Sequence, residues 1–190
     1  MAEVHVLFEG YVGRGDDGNH VGSTVSLIRD GDALIVVDPG LVPDRAVILE
    51  PLRELNVVPE DVTDVVFSHH HPDHTVNAAL FPQARIHDVM ATYRDDLWLS
   101  RPAEGFQVSA QVRLIETPGH SREDITTLVE TDEGTIALTH LWWAAEGPAD
   151  DPYTFDREIL RAQRERVLAI ATRIVPGHGP AFTPDASTPR

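Results

Sequence analysis

Apolar and polar positions change their period several times along the chain, and each change marks an element. Val4 to Phe8 and Ser23 to Arg29 are β-branched and apolar enough to read as strands. Asp30-Gly31-Asp32 is a hairpin turn signal, and Ala33 to Asp38 (ALIVVD) continues as a largely buried strand. Pro39-Gly40 breaks it, and Asp44 to Leu55 fits a helix with Asp44 as its N-cap behind Pro43. Thr63 to Phe67 (TDVVF) is a short apolar strand that runs directly into SHHHPDH. Ala84 to His87 and Val112 to Glu116 are further strands, and Ile125 to Glu130 pairs with Thr135 to Thr139 across Thr131-Asp132-Glu133-Gly134. Arg157 to Thr172 is the strongest helical pattern, with Leu160, Val167, Leu168 and Ala171 on one face and Arg and Glu opposite. Ile174-Val175 is a last short strand before Pro176-Gly177-His178-Gly179.

Strands that first arrive in hairpins and are then interrupted by single helices predict an α/β domain. Its sheets should be mixed or antiparallel and flanked by helices, without a regular βαβ repeat. One domain is expected over residues 1–182, followed by a loose tail over 183–190. A chain of 190 residues buries a single substantial core, about 70% of its unfolded surface. A composition 42% hydrophobic and 24% charged is that of an ordinary folded protein. No apolar run approaches the ~20 residues needed to span a bilayer, so no membrane partner is expected. The opening MAEVHVLFEG carries an early Glu3 and lacks the basic region and apolar stretch of a signal peptide, which makes the cytoplasm the default location. The oligomeric state is left open.

Composition also narrows the chemistry. There is no cysteine, so thiolate nucleophiles, disulfides and Cys-based zinc sites are excluded, and any metal must be held by nitrogen and oxygen. A formal charge of −16 opposes nucleic acid as a partner, because phosphate binding relies on Lys and Arg displacing counterions. A small-molecule substrate fits better. No GxGxxG, Walker-type loop or GxSxG elbow follows a strand.

What remains is histidine. A strand aims alternate side chains at opposite faces, so as TDVVF runs out His69 and His71 point together and His70 points away. Pro72 then starts a turn that brings Asp73 and His74 round to the same side. The spacing H-x-H-x-D-H thus yields two donor subsets, His69/His71 and Asp73/His74, close enough to serve adjacent ions. Further histidines sit where strands end: His120 in Thr117-Pro118-Gly119-His120-Ser121, His140 after TIALT, and His178 in Pro176-Gly177-His178-Gly179. Glycine beside His120 and His178 lets backbone approach closely at a crowded site.

In this order and separation, H-x-H-x-D-H, a histidine in a TPGH turn and a late PGHG resemble the metallo-β-lactamase superfamily, from about Val21 to Phe182. The resemblance implies an αββα sandwich with metals in a groove at one edge of its two sheets. It implies that His69, His71 and His120 hold one ion and that Asp73, His74 and His178 hold the other. The early VVDPG, with Asp38, resembles the superfamily's first-strand D-x-G, whose aspartate supports the ligands from behind; a helix-entry turn residue is the other reading of Asp38. Asp73-His74-Thr75-Val76-Asn77 followed by Leu80-Phe81-Pro82 is most similar to the small subfamily typified by metallo-β-lactamase domain-containing protein 1.

One position departs from the family. The superfamily normally places a bridging aspartate at the strand end corresponding to His140, and a neutral imidazole offers one lone pair. His140 then binds one ion terminally, or the second ion is weakened or lost, or the ring swings out to line the pocket; terminal ligation is the favoured expectation. Two divalent ions are expected as cofactors, best as zinc, with iron or manganese as alternatives. The expected reaction is attack of a metal-held hydroxide on an ester, thioester or lactone, with Asp73 orienting the nucleophile. The competing functions are a phosphodiesterase or ribonuclease on the same site, a mononuclear iron oxygenase, and a metal-binding protein without turnover. Trp142, Trp143 and Tyr153 are candidates for an apolar groove wall, with core packing expected for at least one Trp. Met90 to Gln111 is expected as a loop over the site, and Asp150-Asp151 as a solvated acidic turn.

Overall fold

Side chains alternate between the two faces of a strand, so a strand with both faces covered must be apolar at every position. That is why ALIVV, DVV and VRLIE read as almost unbroken hydrophobic runs. The computed structural model describes residues 1–190. Strands β1 (Glu3–Phe8), β2 (Tyr11–Gly15), β3 (Gly18–Gly22), β4 (Val25–Asp30) and β5 (Ala33–Val37) precede helix α1 (Ala46–Glu54). Strand β6 (Asp64–Val66) leads to the short helix α2 (Pro72–Thr75), followed by β7 (Arg85–His87), β8 (Ala91–Arg94) and β9 (Leu97–Ser100). The second half holds β10 (Gln107–Ser109), β11 (Val112–Glu116), β12 (Ile125–Thr131), β13 (Gly134–Thr139), helix α3 (Arg157–Leu168) and β14 (Arg173–Pro176). Two single 3-10 turns, Pro59–Asp61 and Val76–Leu80, complete the set.

The strands form a seven-stranded sheet in the order β1-β4-β5-β6-β7-β8-β9 and a five-stranded sheet in the order β10-β11-β12-β13-β14. Both are mixed, as expected: β5-β6, β6-β7 and β13-β14 are parallel, and the remaining pairs are antiparallel. Ile28, Val37 and Val66 of the first sheet meet Leu114, Ile125 and Leu138 of the second in a core between the layers. The alternate residues Leu27, Val36 and Val65 point outward beneath Ile48 and Leu52 of α1. On the other side Ile115, Leu128 and Ile174 lie beneath Leu160 and Val167 of α3. The layers therefore run helix, sheet, sheet, helix, the αββα sandwich that the motifs imply. No helix is long and apolar enough to cross a membrane.

Several expectations shift. Helix α1 begins at Ala46, whose N–H donates to Asp44 Oδ1 at 2.9 Å, so Asp44 caps from two residues upstream. Helix α3 stops at Leu168, four residues short of Thr172, and Asp156 caps its start by accepting from the N–H groups of Glu158 and Ile159. Residues 11–22, which carry no strand expectation, form an isolated β2–β3 ribbon. Met90 to Gln111 is not a loop over the site. It is built into β8, β9 and β10, with Tyr93 against Trp98 at 5.0 Å between ring centres, and none of it lines the groove described below. The last residues are anchored where a loose tail was expected: Trp142 Nε1–H donates to Pro189 O at 2.8 Å and Thr188 is buried.

Candidate metal centre

Strands that leave a layered core at the same edge deliver their following residues to one place. Asp38 follows β5, His69 to His74 follow β6, His120 follows β11, His140 follows β13 and His178 follows β14. The ligand atoms of His69, His71 and His120 lie within 4.8 Å of one another, and so do those of Asp73, His74 and His178. These are the two triads that the sequence motifs imply. His140 forms a third such group with His69 and His74, so it sits between the triads and shares a member with each.

The rings are oriented for coordination. A metal-binding imidazole usually ties its second nitrogen to a carboxylate, a carbonyl or another polar group, which fixes tautomer and ring plane. His74 Nδ1 lies 2.8 Å from Asp38 Oδ2, and His120 Nδ1 lies 2.8 Å from Asp151 Oδ2. His178 Nδ1 donates to Gly22 O at 3.0 Å, and His69 Nδ1 faces Ser68 Oγ at 3.0 Å. The inner nitrogens remain: His69 Nε2 and His74 Nε2 are buried without a hydrogen-bond partner. Two pairs of inner nitrogens face each other, His120 Nε2 to His71 Nδ1 at 3.1 Å and His140 Nε2 to His178 Nε2 at 2.9 Å. Buried nitrogens without a hydrogen-bond partner, such as His69 Nε2 and His74 Nε2, are expensive unless a cation satisfies their lone pairs. The donor set of imidazoles and one carboxylate fits divalent ions of the zinc, iron or manganese type.

The electrostatics agree. Burial, reinforced by the surrounding imidazoles, holds His69 and His140 well below the usual histidine range and lowers His178 to about 4. Those rings stay neutral and keep a lone pair free. His74 goes the other way: burial opposes its charge, yet Asp38 and Asp73 together raise it to about 9. The field at that spot favours a cation. Burial pushes the Asp73 carboxyl up, but His74 and His178 outweigh it and hold it at about 2.

Asp38 is the support that the early D-x-G implied. Its backbone is left-handed (φ 50°), its Oδ1 accepts Ser68 N–H at 2.7 Å, and its Oδ2 accepts from Ser68 Oγ at 2.7 Å as well as facing His74. His70 faces away, as period two requires, and its Nε2 lies 3.1 Å from Asp88 Oδ2. His140 is unlike the others. Its Nδ1 is buried and unpartnered, and its ring packs on Gly177, where an added Cβ would come within 2.4 Å of Cδ2. Glycine at 177 is thus a steric requirement of histidine at 140.

Asp151 overturns one expectation outright. It is 2% exposed, not a solvated turn, and its Oδ2 also accepts from Trp143 Nε1–H at 3.0 Å. The PGH turn carrying His120 is clamped by Asp124, which accepts from Ser121 N–H and Oγ–H. Trp142 is fully buried in the outer core beneath α3. Trp143 and Tyr153 stack at 5.9 Å and 28°, and both line a groove of about 620 Å³ that opens over His71, Asp73, His120 and His178.

The model of the metallo-beta-lactamase superfamily matches residues 18–181. Metallo-beta-lactamase domain-containing protein 1 of Xenopus laevis is 34% identical over 197 residues, covering 94% of this chain and 80% of the frog protein. The Mus musculus protein of the same name is 33% identical over 85% of this chain, which spans 65% of the mouse protein. Among solved structures, a Thermotoga maritima protein assigned as a metallo-beta-lactamase superposes with a TM-score of 0.77 at 22% identity, over 96% of this chain and 99% of its own. A dizinc quorum-quenching lactonase in complex with a product gives 0.63 at 17% identity, over 90% and 79%. Sandwich, motif order and converging histidines agree with a family match over nearly the whole length: the chain belongs to the metallo-β-lactamase superfamily.

Proposed function

We propose that this protein is a metal-dependent hydrolase of small molecules that cuts an ester, thioester or lactone bond. His69, His71 and His120 would hold one divalent ion and Asp73, His74 and His178 the other, with zinc the best match to the donors. His140 would hold one of them through Nε2. The observation that carries the reading is the pair of complete triads beneath one groove, with the outer nitrogens of His69, His74, His120 and His178 already tied to the protein. The superfamily is one of metal-dependent hydrolases, a dizinc lactonase shares the fold, and a groove of about 620 Å³ suits a small ligand. The charge of −16 supports a small molecule over a nucleic acid.

Divalent ions bound at the triads supply a water of lowered pKa and an electrophile for a carbonyl oxygen. The residues do the rest. Asp151 and Asp38 fix the ring planes of His120 and His74, so the donors need no rearrangement when the substrate arrives. Asp73 stays ionised and orients the attacking water by accepting its hydrogen bond. The stacked Trp143 and Tyr153 cover one side of the groove and displace solvent from the substrate there.

Elemental analysis of purified protein tests this together with a panel of lactone, thioester, phosphodiester and β-lactam substrates. Two ions per chain are expected, with acyl-bond cleavage and with metal and activity lost together in His69→Ala and His120→Ala. One iron per chain with oxygen uptake would overturn it, as would cleavage confined to phosphodiesters.

A further inference from the structure

The β2–β3 ribbon turns one face to the groove. Its register sets Val12 opposite Val21 and Arg14 opposite Asn19, and all four line the groove. Period two places these four side chains on a single face and sends Gly13 and His20 to the other. The inner half of that face is apolar and faces Leu41 and Tyr153, which also line the groove. The outer half is Arg14 with Asn19.

Arg14 is the one Lys or Arg lining the groove, in a chain with 31 acidic residues against 15 basic ones. None of those acids neutralises it. Of the two acids in the ribbon's turn, Asp16 forms no ion pair with it, and Asp17 lies 2.9 Å from His20 Nε2 on the opposite face. A guanidinium without a protein partner, standing across from an amide in the lining of the groove, matches the planar, doubly accepting geometry of a carboxylate or phosphate.

We propose that Arg14, with Asn19, recognises an anionic group, so that the substrate is an acyl compound bearing a carboxylate or phosphate remote from the bond that is cut. The segment between anion and acyl carbon lies along Val12, Val21 and Leu41. Hydrolysis adds water across the acyl bond, giving a carboxylate, an alcohol or thiol, and a proton; the remote anion is unchanged. This rests on the hydrolase reading and names the substrate class for that same groove.

The test compares two nearly isosteric esters, mono-4-nitrophenyl adipate and 4-nitrophenyl hexanoate, with the metal-loaded protein. A charge-assisted hydrogen bond at a partly solvated site predicts a kcat/KM preference of about tenfold for the adipate ester. Arg14→Gln should bring the ratio close to one, Arg14→Glu should reverse it, and Arg14→Lys should retain part of it. A wild-type ratio near one, or a preference that survives Arg14→Glu, overturns the proposal. A binding arm separates it from the hydrolase reading: calorimetry with adipate, 5-phosphonopentanoate and hexanoate on the same variants. If neither ester is cleaved, the hydrolase reading rests on the wider substrate panel, and the inference stands or falls on whether adipate or the phosphonate outbinds hexanoate in an Arg14-dependent way. Whichever dianion binds more tightly identifies the carboxylate or the phosphate class.

Discussion

A carboxylate offers two oxygens and can hold two cations at once; His140 offers one inner nitrogen, and its other nitrogen is buried with no partner. His140→Asp should therefore tighten the more weakly held ion, by about tenfold or more. Competition against a chelator of known affinity measures it, and unchanged affinity would mean that the ring plays no part in coordination. Asp151→Asn keeps one acceptor oxygen for His120 but removes the charge, so metal affinity should fall about 10- to 100-fold in the same assay. At this scale the sequence was uneven in what it revealed. Period two was enough to separate His70 from His69 and His71, whereas Asp38 was legible only through the resemblance of VVDPG to the superfamily's D-x-G, with a helix-entry turn residue as the other reading. Asp151 was not. It stands 31 residues from His120, inside an acidic pair that looks like any surface turn, and only the folded chain brings the two together.

The elements that carry ligands are short strands with both faces covered, and their hydrophobic runs betrayed them. Those that shape the groove were hidden. The strands YVGRG and GNHVG are rich in glycine and largely exposed, so they present neither alternation nor β-branched bulk. Strands β8 to β10 are three or four residues each, too short for a period to register. Helix α3 was legible, but not its internal clamp. Arg164 is fully buried on it and donates to the carbonyls of Leu141, Pro148 and Ala149, holding the segment that follows His140. Arg164→Ala leaves those carbonyls without donors and should cost about 2–4 kcal/mol in a denaturant titration. Asp156→Ala, which only uncaps the same helix, should cost about 1 kcal/mol.

Across the whole molecule, the histidines that converge at the sheet edge make stability depend on pH. His178 is held neutral down to about 4, against an ordinary value of 6.5, so from 6.5 downward the unfolded chain binds a proton that the native chain refuses. Unfolding gains as pH falls through that window, and His69, His71 and His140 act in the same sense. His74, raised to about 9, acts in reverse: its contribution is complete below 6.5 and fades as pH climbs toward 9. Protein stripped with a chelator should thus show its highest urea midpoint near neutrality, with a decline on both sides. A midpoint that rises steadily from pH 6.5 down to 4.5 would contradict this.

Each triad also draws on both layers of the sandwich. His69 and His71 come from the end of the first sheet and His120 from the second; Asp73 and His74 come from the first and His178 from the second. A cation shared across that seam is a tether between two halves of the chain, and the sheets cannot part without releasing it. Any ligand bound only by the folded state adds about 1.4 kcal/mol of stability for each tenfold rise above its dissociation constant. The melting temperature is consequently an occupancy gauge that needs no substrate: it should climb with the logarithm of free metal, and with a shallower slope in Asp73→Ala, where one of the two proposed tethers would be cut.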